Sequence, residues 1–349
     1  MITPSPIEGV GLHAVGATSA STCYLPFHKT KKWSWISYWL VQALFAWIVA
    51  PLVIAVITVP DFFNIIAQAP PRILLITFLL GGCYGFGGLS FGFATRHIGY
   101  SLTYTISIGI SAILGTVFPL LLKGNLIGYF SQAGSEVILV GMIVALIGVS
   151  LCGWAGFRKE KELGDSVHFN MRTGLILTII AGILSGVFNI ALEFGQPIAD
   201  MAAKNGAGIF EGNAKLIVAT AGCFVVNFIW FVILGIKEKK LSELKGIVGK
   251  SKLSSSVLIR NFLWSAFGGV LWCMQFFFYG LGHVKMGTYQ FASWVIHMSM
   301  LIFFSFIVGM MMKEWRGCSR KTYLNLIIAL IILVSSFFIM TYGSMLGNG

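Results

Sequence analysis

Residues 268–299, GGVLWCMQFFFYGLGHVKMGTYQFASWVIHMS, form a strongly apolar stretch in which polar and aromatic side chains recur at helical spacing. Trp272, Gln275 and Tyr279 occupy positions i, i+3 and i+7. His283 follows at i+11, so a helix places all four on one face. Hydrocarbon offers no hydrogen-bond partner to an indole, an amide or an imidazole, so such side chains turn towards protein or water. The pattern predicts one wall of a polar cavity inside a membrane.

The second part of this stretch repeats the arrangement on a neighbouring helix. Gln290, Trp294 and His297 lie at i, i+4 and i+7, again on one face. Binding sites for small molecules combine apolar and aromatic walls with a few well-placed polar groups. The two faces together therefore predict a site for a small polar solute.

The composition of the whole chain is that of an integral membrane protein. Of its 349 residues, 57% are hydrophobic and only 10% are charged, whereas soluble domains have about 25% charged residues. The apolar runs repeatedly reach the roughly 20 residues that a helix needs to cross a bilayer. We predict an all-α protein with ten transmembrane helices, at residues 9–27, 35–58, 73–94, 100–122, 136–157, 173–194, 215–236, 261–282, 288–312 and 322–346. Residues 1–8 contain no Lys or Arg, so we expect the first span to be retained and not cleaved as a signal peptide.

The net charge of +12 is concentrated on one side of these spans. The loops after spans one, three, five, seven and nine contain 19 of the 24 Lys and Arg residues. The positive-inside rule places those loops in the cytoplasm and both termini in the periplasm. Attraction to anionic lipid headgroups explains this charge without nucleic-acid binding.

The spans divide into two halves of five, residues 1–157 and residues 173–349, joined by a basic cytoplasmic linker at residues 158–172. An odd number of spans in the first half inserts the second half upside down, and inverted repeats are typical of transporters. Three glycines recur at a constant offset of 188 residues: Gly81 with Gly269, Gly92 with Gly280, and Gly99 with Gly287. We therefore expect two inverted five-helix repeats.

Depth along each span sorts the polar residues into two layers. We predict that the substrate contacts Trp272, Gln275, Trp294, His297, Asn189, Tyr84, Ser107 and Tyr279, with Ser21, Ser111 and Ser185 at similar depth. Nearer the outer surface, His13, Glu193, Tyr279, His283 and Gln290 would line an entry vestibule. The alternatives are core packing for the tryptophans and bonds to the helix backbone for the serines.

Ionisable residues within the spans are few, and each is costly to bury. Glu193, His13 and His297 are the candidates for carrying a proton, and the histidines have the advantage of titrating near neutral pH. The alternatives are a hydrated carboxylate at a helix end for Glu193 and a structural role for the histidines. The six cysteines and six histidines are scattered, so we expect no metal site, no disulfide framework and no enzymatic centre.

Several segments together resemble the bacterial L-rhamnose/proton symporters of the drug/metabolite transporter superfamily. They are ATSASTCYLPFHKTKKWSW at 17–35, GGVLWCMQFFFYGLGH at 268–283, SWVIHMSM at 293–300 and KEW at 313–315. The resemblance extends over essentially the whole chain. It implies ten helices in two inverted halves, a sugar site between the halves, and uptake of L-rhamnose or a similar 6-deoxy sugar with a proton across the inner membrane. The proton is then the coupling ion, and neither a cofactor nor an obligatory protein partner is expected.

Gln290 departs from the pattern of that family, which has an aspartate at this position. A glutamine cannot take up and release a proton near neutral pH, so coupling through this residue is excluded. Either Glu193, His13 or His297 takes the role, or coupling differs in this protein. The alternative function is a facilitator or exporter of another small metabolite on the same fold, without proton coupling.

Overall fold

The computed structural model describes residues 4–98, 100–122, 124, 128, 131–163 and 171–348, and nearly all of them are helical. The α-helices are α1 (Pro6–Thr22), α2 (Trp35–Leu44), α3 (Ala50–Thr58), α4 (Phe62–Gln68), α5 (Pro71–Ile98), α6 (Tyr100–Leu122), α7 (Ser135–Leu163), α8 (Met171–Phe194), α9 (Gln196–Lys204), α10 (Gly212–Lys237), α11 (Ser255–Lys285), α12 (Ser293–Met311) and α13 (Arg320–Asn348). Short 3₁₀-helices lie at Leu25–Lys29, Gly208–Phe210, Leu241–Lys245 and Gly287–Ala292. The strands β1 (Ile247–Val248) and β2 (Ser251–Lys252) form a small antiparallel hairpin.

Eight helical segments within the described residues are long and apolar enough to cross a membrane. They are Trp35–Thr58, Pro71–Ala94, Ser135–Leu163, Arg172–Lys204, Gly208–Lys237, Ser255–Lys285, Gly287–Met311 and Arg320–Leu346. This confirms that the chain is an integral membrane protein. The first and fourth predicted spans are helical as well, as α1 with 17 residues and α6 with 23.

The first helix ends earlier than its predicted boundary at residue 27. It stops at Thr22, and the 3₁₀-helix Leu25–Lys29 follows with Pro26 near its start. Proline has no backbone N–H and restricts the residue before it, so the α-helix cannot continue through this position. The chain therefore turns before it reaches the basic residues of the loop.

The second span is one continuous helical segment with a wider turn in its middle. The π-helical turn Phe45–Val49 joins α2 to α3, and the Ala50 N–H donates to the carbonyl of Phe45, five residues back. Pro51 has no N–H to give to the carbonyl of Trp47, and its ring would clash with that carbonyl in a regular helix. The wider turn relieves this conflict.

Helix packing brings together elements that are far apart in sequence. Helix α5 packs against α8 and α10, α8 also packs against α6, and α7 lies along α13. Helix α11 packs against α1 and α2, and α1 also packs against α12. Glycines permit the closest approaches, because a Cβ on Gly81 would collide with the carbonyl of Ala219 and one on Gly269 would collide with that of Gln42.

The end of the bundle that carries the basic loops is held by buried polar side chains. The carboxylate of Glu243 accepts hydrogen bonds from the Ser34 N–H at 2.7 Å and from the Ser37 hydroxyl at 2.8 Å. Asn261 pairs with both backbone groups of Lys31, each at 2.9 Å. These bonds fix the start of α2 against α11 and the loop after α10.

Candidate functional site

The centre of the bundle contains two histidines and a tyrosine whose rings contact one another. His13 lies on α1, Tyr279 on α11 and His297 on α12. The ring centroids are 5.4 Å apart for His13 and Tyr279, 5.7 Å for His13 and His297, and 5.4 Å for Tyr279 and His297. Both histidines are 0% exposed. We call these three residues the histidine cluster.

Two glycines allow the three helices to meet at this point. A Cβ on Gly16 would lie 2.8 Å from the carbonyl oxygen of Gln275 and 3.1 Å from Cε1 of His297. A Cβ on Gly282 would lie 3.0 Å from Nδ1 of His13. Since any larger side chain would separate the helices, the small residues bring the two imidazoles together.

The imidazole nitrogens of the histidine cluster are unusual in their hydrogen bonding. Within the part of the chain that the structure describes, neither ring nitrogen of His13 or His297 has a hydrogen-bond partner. Buried polar groups are nearly always hydrogen-bonded, and an exception needs an explanation. Four nitrogens in one enclosed place are chemically suited to taking up a proton or bonding a hydroxyl group.

The polar side chains around the cluster are bonded across the bundle. The Tyr279 hydroxyl donates to Oδ1 of Asn189 at 2.9 Å, and Nδ2 of Asn189 donates to the carbonyl of Gly115 at 2.7 Å. Nε1 of Trp294 donates to the carbonyl of Ser111 at 2.9 Å. Helix α11 is thus linked to α8 by a bond between two side chains, and α12 is linked to α6 by a bond from a side chain to the backbone.

An aromatic wall extends from the histidine cluster towards the end of the bundle that carries the basic loops. Trp272 contacts Phe276 with centroids 5.0 Å apart, and Phe276 contacts Phe188 at 4.6 Å. Tyr84 completes the wall, 4.8 Å from Phe188 and 6.4 Å from Trp272. Helices α5, α8 and α11 all contribute, so the wall lies between elements of both halves of the chain.

A cleft leads to Tyr279 and Asn189 from between α8, α9, α10 and α11. It encloses about 420 Å³ of empty space, part of it open to solvent, but only about 20 Å³ can be reached by the centre of a water molecule. Such a cleft has room for about one or two waters and not for a sugar. A sugar can enter only if the helices move apart.

Charged and polar side chains lie along this cleft. Glu193 and His283 face each other with 4.0 Å between Oε1 and Nε2, and both side chains are largely buried. The buried Lys215 donates to Oε1 of Gln196. Nε2 of Gln196 in turn approaches Glu211 at 3.4 Å. Sequence reasoning missed Lys215, Gln196 and Glu211. A lysine near the start of an apolar span, such as Lys215, normally indicates an ordinary helix end.

The structure connects most of the predicted contact residues into one set. The ring of Tyr279 contacts that of Trp294 at 5.5 Å and that of Phe276 at 6.4 Å. Together with the contacts described above, these join Tyr84, Asn189, Trp272, Tyr279, Trp294 and His297. His13 was expected in an outer vestibule and is instead fully enclosed beside His297. Glu193 and His283 do line the cleft, as an outer vestibule requires.

Other predicted residues take no part in the ring contacts and hydrogen bonds described above. Gln275 is buried where α1 packs on α11 and does not line the cleft. The carbonyl of Ser107 faces Gly182 at a helix contact. Gln290 lies half buried in the 3₁₀-helix Gly287–Ala292. Ser21 accepts a hydrogen bond from Ser305 at 3.2 Å. The partly buried Ser185 completes this group.

Comparison with known proteins gives matches along essentially the whole chain. The model of the family described as L-rhamnose-proton symport protein (RhaT) matches residues 3–345. An L-rhamnose-proton symporter of Yersinia pestis (strain Pestoides F) is 33% identical over 333 residues, which cover 94% of this chain and 95% of that protein. The L-rhamnose-proton symporter of Shigella sonnei (strain Ss046) is 33% identical over 331 residues, covering 93% and 94%. The matched region includes the histidine cluster, the aromatic wall and the cleft.

Proposed function

Because the chain belongs to the L-rhamnose-proton symport protein family, we propose that it imports L-rhamnose, or a related 6-deoxy sugar, with a proton across the bacterial cytoplasmic membrane. The observation that carries the proposal is the enclosed histidine cluster beside an aromatic wall. A wall of rings suits the apolar face and methyl group of a deoxy sugar, and unpaired imidazole nitrogens suit a proton. Since the relatives are named as symporters, the protein is a transporter and not an enzyme.

The proposal includes ten spans in two inverted halves, as in the drug/metabolite transporter superfamily. The first half is α1, α2 with α3, α5, α6 and α7, and the second is α8, α10, α11, α12 and α13. Each helix of the first half corresponds to the helix at the same place in the second half, so that α1 corresponds to α8, α5 to α11 and α6 to α12. Under this exchange, the contacts of α1 with α11 and α12 become those of α8 with α5 and α6. The contact of α2 with α11 likewise becomes that of α10 with α5. This exchange, together with the charge of the loops, supports opposite orientations of the halves and periplasmic termini.

The glycines at the offset of 188 residues support the same exchange. Gly81 on α5 meets a carbonyl of α10, and its counterpart Gly269 on α11 meets a carbonyl of α2. Gly92 and Gly280 also agree, because a Cβ on either would meet no atom within 4 Å. Gly99 lies outside the described residues, so the third pair adds nothing.

The mechanism that we propose is alternating access between two groups of helices. One group is α1, α2, α11 and α12, and the other is α5, α6, α8 and α10. The bonds from Tyr279 to Asn189 and from Trp294 to Ser111 both cross between the groups. As the groups separate, these donors and acceptors lose their partners and become available to sugar hydroxyls. The sugar then replaces bonds that the protein has to break, while Trp272 stacks on its apolar face.

The histidine cluster is the proton site in this proposal. Its two imidazoles belong to one group of helices, and Tyr279 connects them to the other group through Asn189. Glu193 and His283 at the cleft would pass the proton inwards. One proton moving through about 150 mV supplies about 3.5 kcal/mol, which sustains an accumulation of a few hundredfold.

The test is to add L-rhamnose to energy-depleted cells that express the protein in weakly buffered medium. Symport predicts sugar entry with transient alkalinisation of the medium, whereas cells without the protein give neither signal. Sugar entry without a pH change would leave the alternative, an uncoupled facilitator, which Gln290 at the family's aspartate position favours. Absence of sugar entry would remove L-rhamnose as the substrate.

A further inference from the structure

Helix α2 and the π-helical turn carry three buried polar atoms that the central site, formed by the histidine cluster and the aromatic wall, does not use. They are Nε1 of Trp39, Oε1 of Gln42 and Nε1 of Trp47, and within the described part of the chain none of them has a hydrogen-bond partner. Gln42 is 3% exposed and Trp47 is 4% exposed. Two donors and one acceptor left unpaired on one helix point to a ligand that bonds them in another state of the protein.

The π-helical turn brings the two indoles together. Residues eight apart in a regular α-helix differ by about 80° in direction and by about 12 Å along the axis. Trp39 and Trp47 are eight apart, yet their ring centroids are only 5.8 Å from each other. The wider turn Phe45–Val49 supplies the extra residue that restores a common face. Such turns often occur at functional sites.

The two indoles continue the aromatic wall towards the end of the bundle with the basic loops. Trp47 contacts Trp272 edge-on at 5.5 Å. Trp39 stacks on Tyr24 at 5.9 Å and on Phe231 at 5.5 Å. Because Phe231 belongs to α10, Trp39 lies between the two groups of helices. Trp272, Trp47 and Trp39 thus form a row of rings from the central site towards the cytoplasmic side.

The correspondence between the two halves gives a second reason to expect a path for the sugar beside Trp39 and Tyr24. The outer cleft lies between the end of α8, the start of α10 and the end of α11. Its counterpart lies between the end of α1, the start of α2 and the end of α5. Trp39 and Tyr24 lie at this counterpart, where their stacking keeps it closed. Alternating access opens it as the outer cleft closes.

We propose that Trp39, Gln42 and Trp47, together with Trp272, form a second sugar subsite on the cytoplasmic side of the central site. A neutral pyranose stacks on the indole rings, receives hydrogen bonds from both indole N–H groups and donates one to Oε1 of Gln42. The sugar binds there on its way out of the protein. This inference rests on the proposed function, which supplies the class of ligand.

The test compares the two faces of the membrane with variants that keep an aromatic six-membered ring and remove the indole N–H group. Trp39→Phe and Trp47→Phe are assayed for L-rhamnose transport in right-side-out and in everted vesicles. Loss of one hydrogen bond raises the half-saturating sugar concentration at the cytoplasmic face about threefold to tenfold, against less than about twofold at the outer face. Trp154→Phe is the matched control, because Trp154 on α7 is 56% exposed on the outside of the bundle.

The outcomes separate this subsite from the function on which it rests. If unaltered protein carries no L-rhamnose in either kind of vesicle, the proposed function fails and the subsite fails with it. If unaltered protein transports and both variants behave like it at both faces, or change equally at both faces, only the subsite is wrong. Neither N–H group has a partner to lose in this conformation, but each substitution also removes the five-membered ring from a packed region, so folding has to be checked separately. Size-exclusion profiles that match the unaltered protein verify that each variant folds.

Discussion

At the scale of single residues, His13 and His297 combine complete burial with unpaired ring nitrogens. We expect His297→Gln to abolish accumulation of sugar and to retain exchange of sugar across the membrane. A glutamine still offers hydrogen bonds but cannot carry a proton, so only the coupled step is lost. The measurement compares uptake against a gradient with counterflow in loaded vesicles.

The control for this variant is His28→Gln, because His28 is exposed in the 3₁₀-helix after α1. It should behave like the unaltered protein in both assays. Accumulation by His297→Gln at the unaltered level would exclude this residue as the proton carrier. Glu193→Gln, tested in parallel, should slow coupled uptake without abolishing it if Glu193 only delivers the proton to the cluster.

Tyr279 carries a second prediction, because its hydroxyl links the two groups of helices. Tyr279→Phe leaves the ring in place and leaves Oδ1 of Asn189 without this donor. A hydrogen bond of this kind contributes about 1 kcal/mol to stability, so we expect a lower melting temperature in detergent. Tyr342→Phe is the control, since Tyr342 is 60% exposed on α13. Equal melting temperatures for the two variants would contradict the assigned link.

The sequence predicts the residues of the site better than their partners. Helical spacing placed Trp272, Gln275, Tyr279 and His283 on one face of α11, because that pattern depends only on the helix repeat. Tyr279 and His283 line the cleft, and Gln275 does not. The bond from Trp294 to the carbonyl of Ser111 joins residues 183 positions apart, and no local pattern indicates it. The burial of His13 beside His297 was not predicted for the same reason: depth along α1 says nothing about which helices enclose the residue.

At the scale of helices, close contacts at glycine provide a sharp test of the packing. Gly81→Ala should reduce the amount of folded protein strongly, because the added Cβ collides with the carbonyl of Ala219 on α10. Gly88→Ala, on the same helix, should be neutral or stabilising by up to about 1 kcal/mol, since alanine favours helix more than glycine. A Cβ at Gly88 meets no atom within 4 Å.

The measurement for this pair is the yield of monodisperse protein and its melting temperature. Similar effects of the two substitutions would contradict the packing of α5 on α10.

The apolar runs predict that the helices exist, but the wider turn at Phe45–Val49 was not predicted. A proline inside an apolar run, such as Pro51, is compatible with a kink, a break or a wider turn. Tertiary packing decides which of these forms.

At the scale of the whole molecule, the exchange of the halves predicts reciprocal access from the two sides. Gly280 lines the outer cleft, and Gly92 is its counterpart on α5. In a background without the native cysteines, conditions that favour the inward-open state should slow thiol labelling of Gly280→Cys from outside and speed that of Gly92→Cys from inside. Gly11→Cys is the control, because Gly11 is exposed on α1 and does not line the cleft, so the rate of its labelling should not change. Labelling rates that rise or fall together at both positions would rule out alternating access.

The narrowness of the outer cleft has a consequence for how efficiently the membrane gradient is used. If His13 and His297 carry the proton, a continuous file of water that reached them through the cleft would let protons cross without sugar and dissipate the gradient. The cleft has room for only one or two waters, and the ring of Tyr279 lies between it and both imidazoles. Tight packing around the histidine cluster thus blocks an uncoupled flow of protons, and we expect a proton leak only in variants that shorten the side chains between the cleft and the cluster.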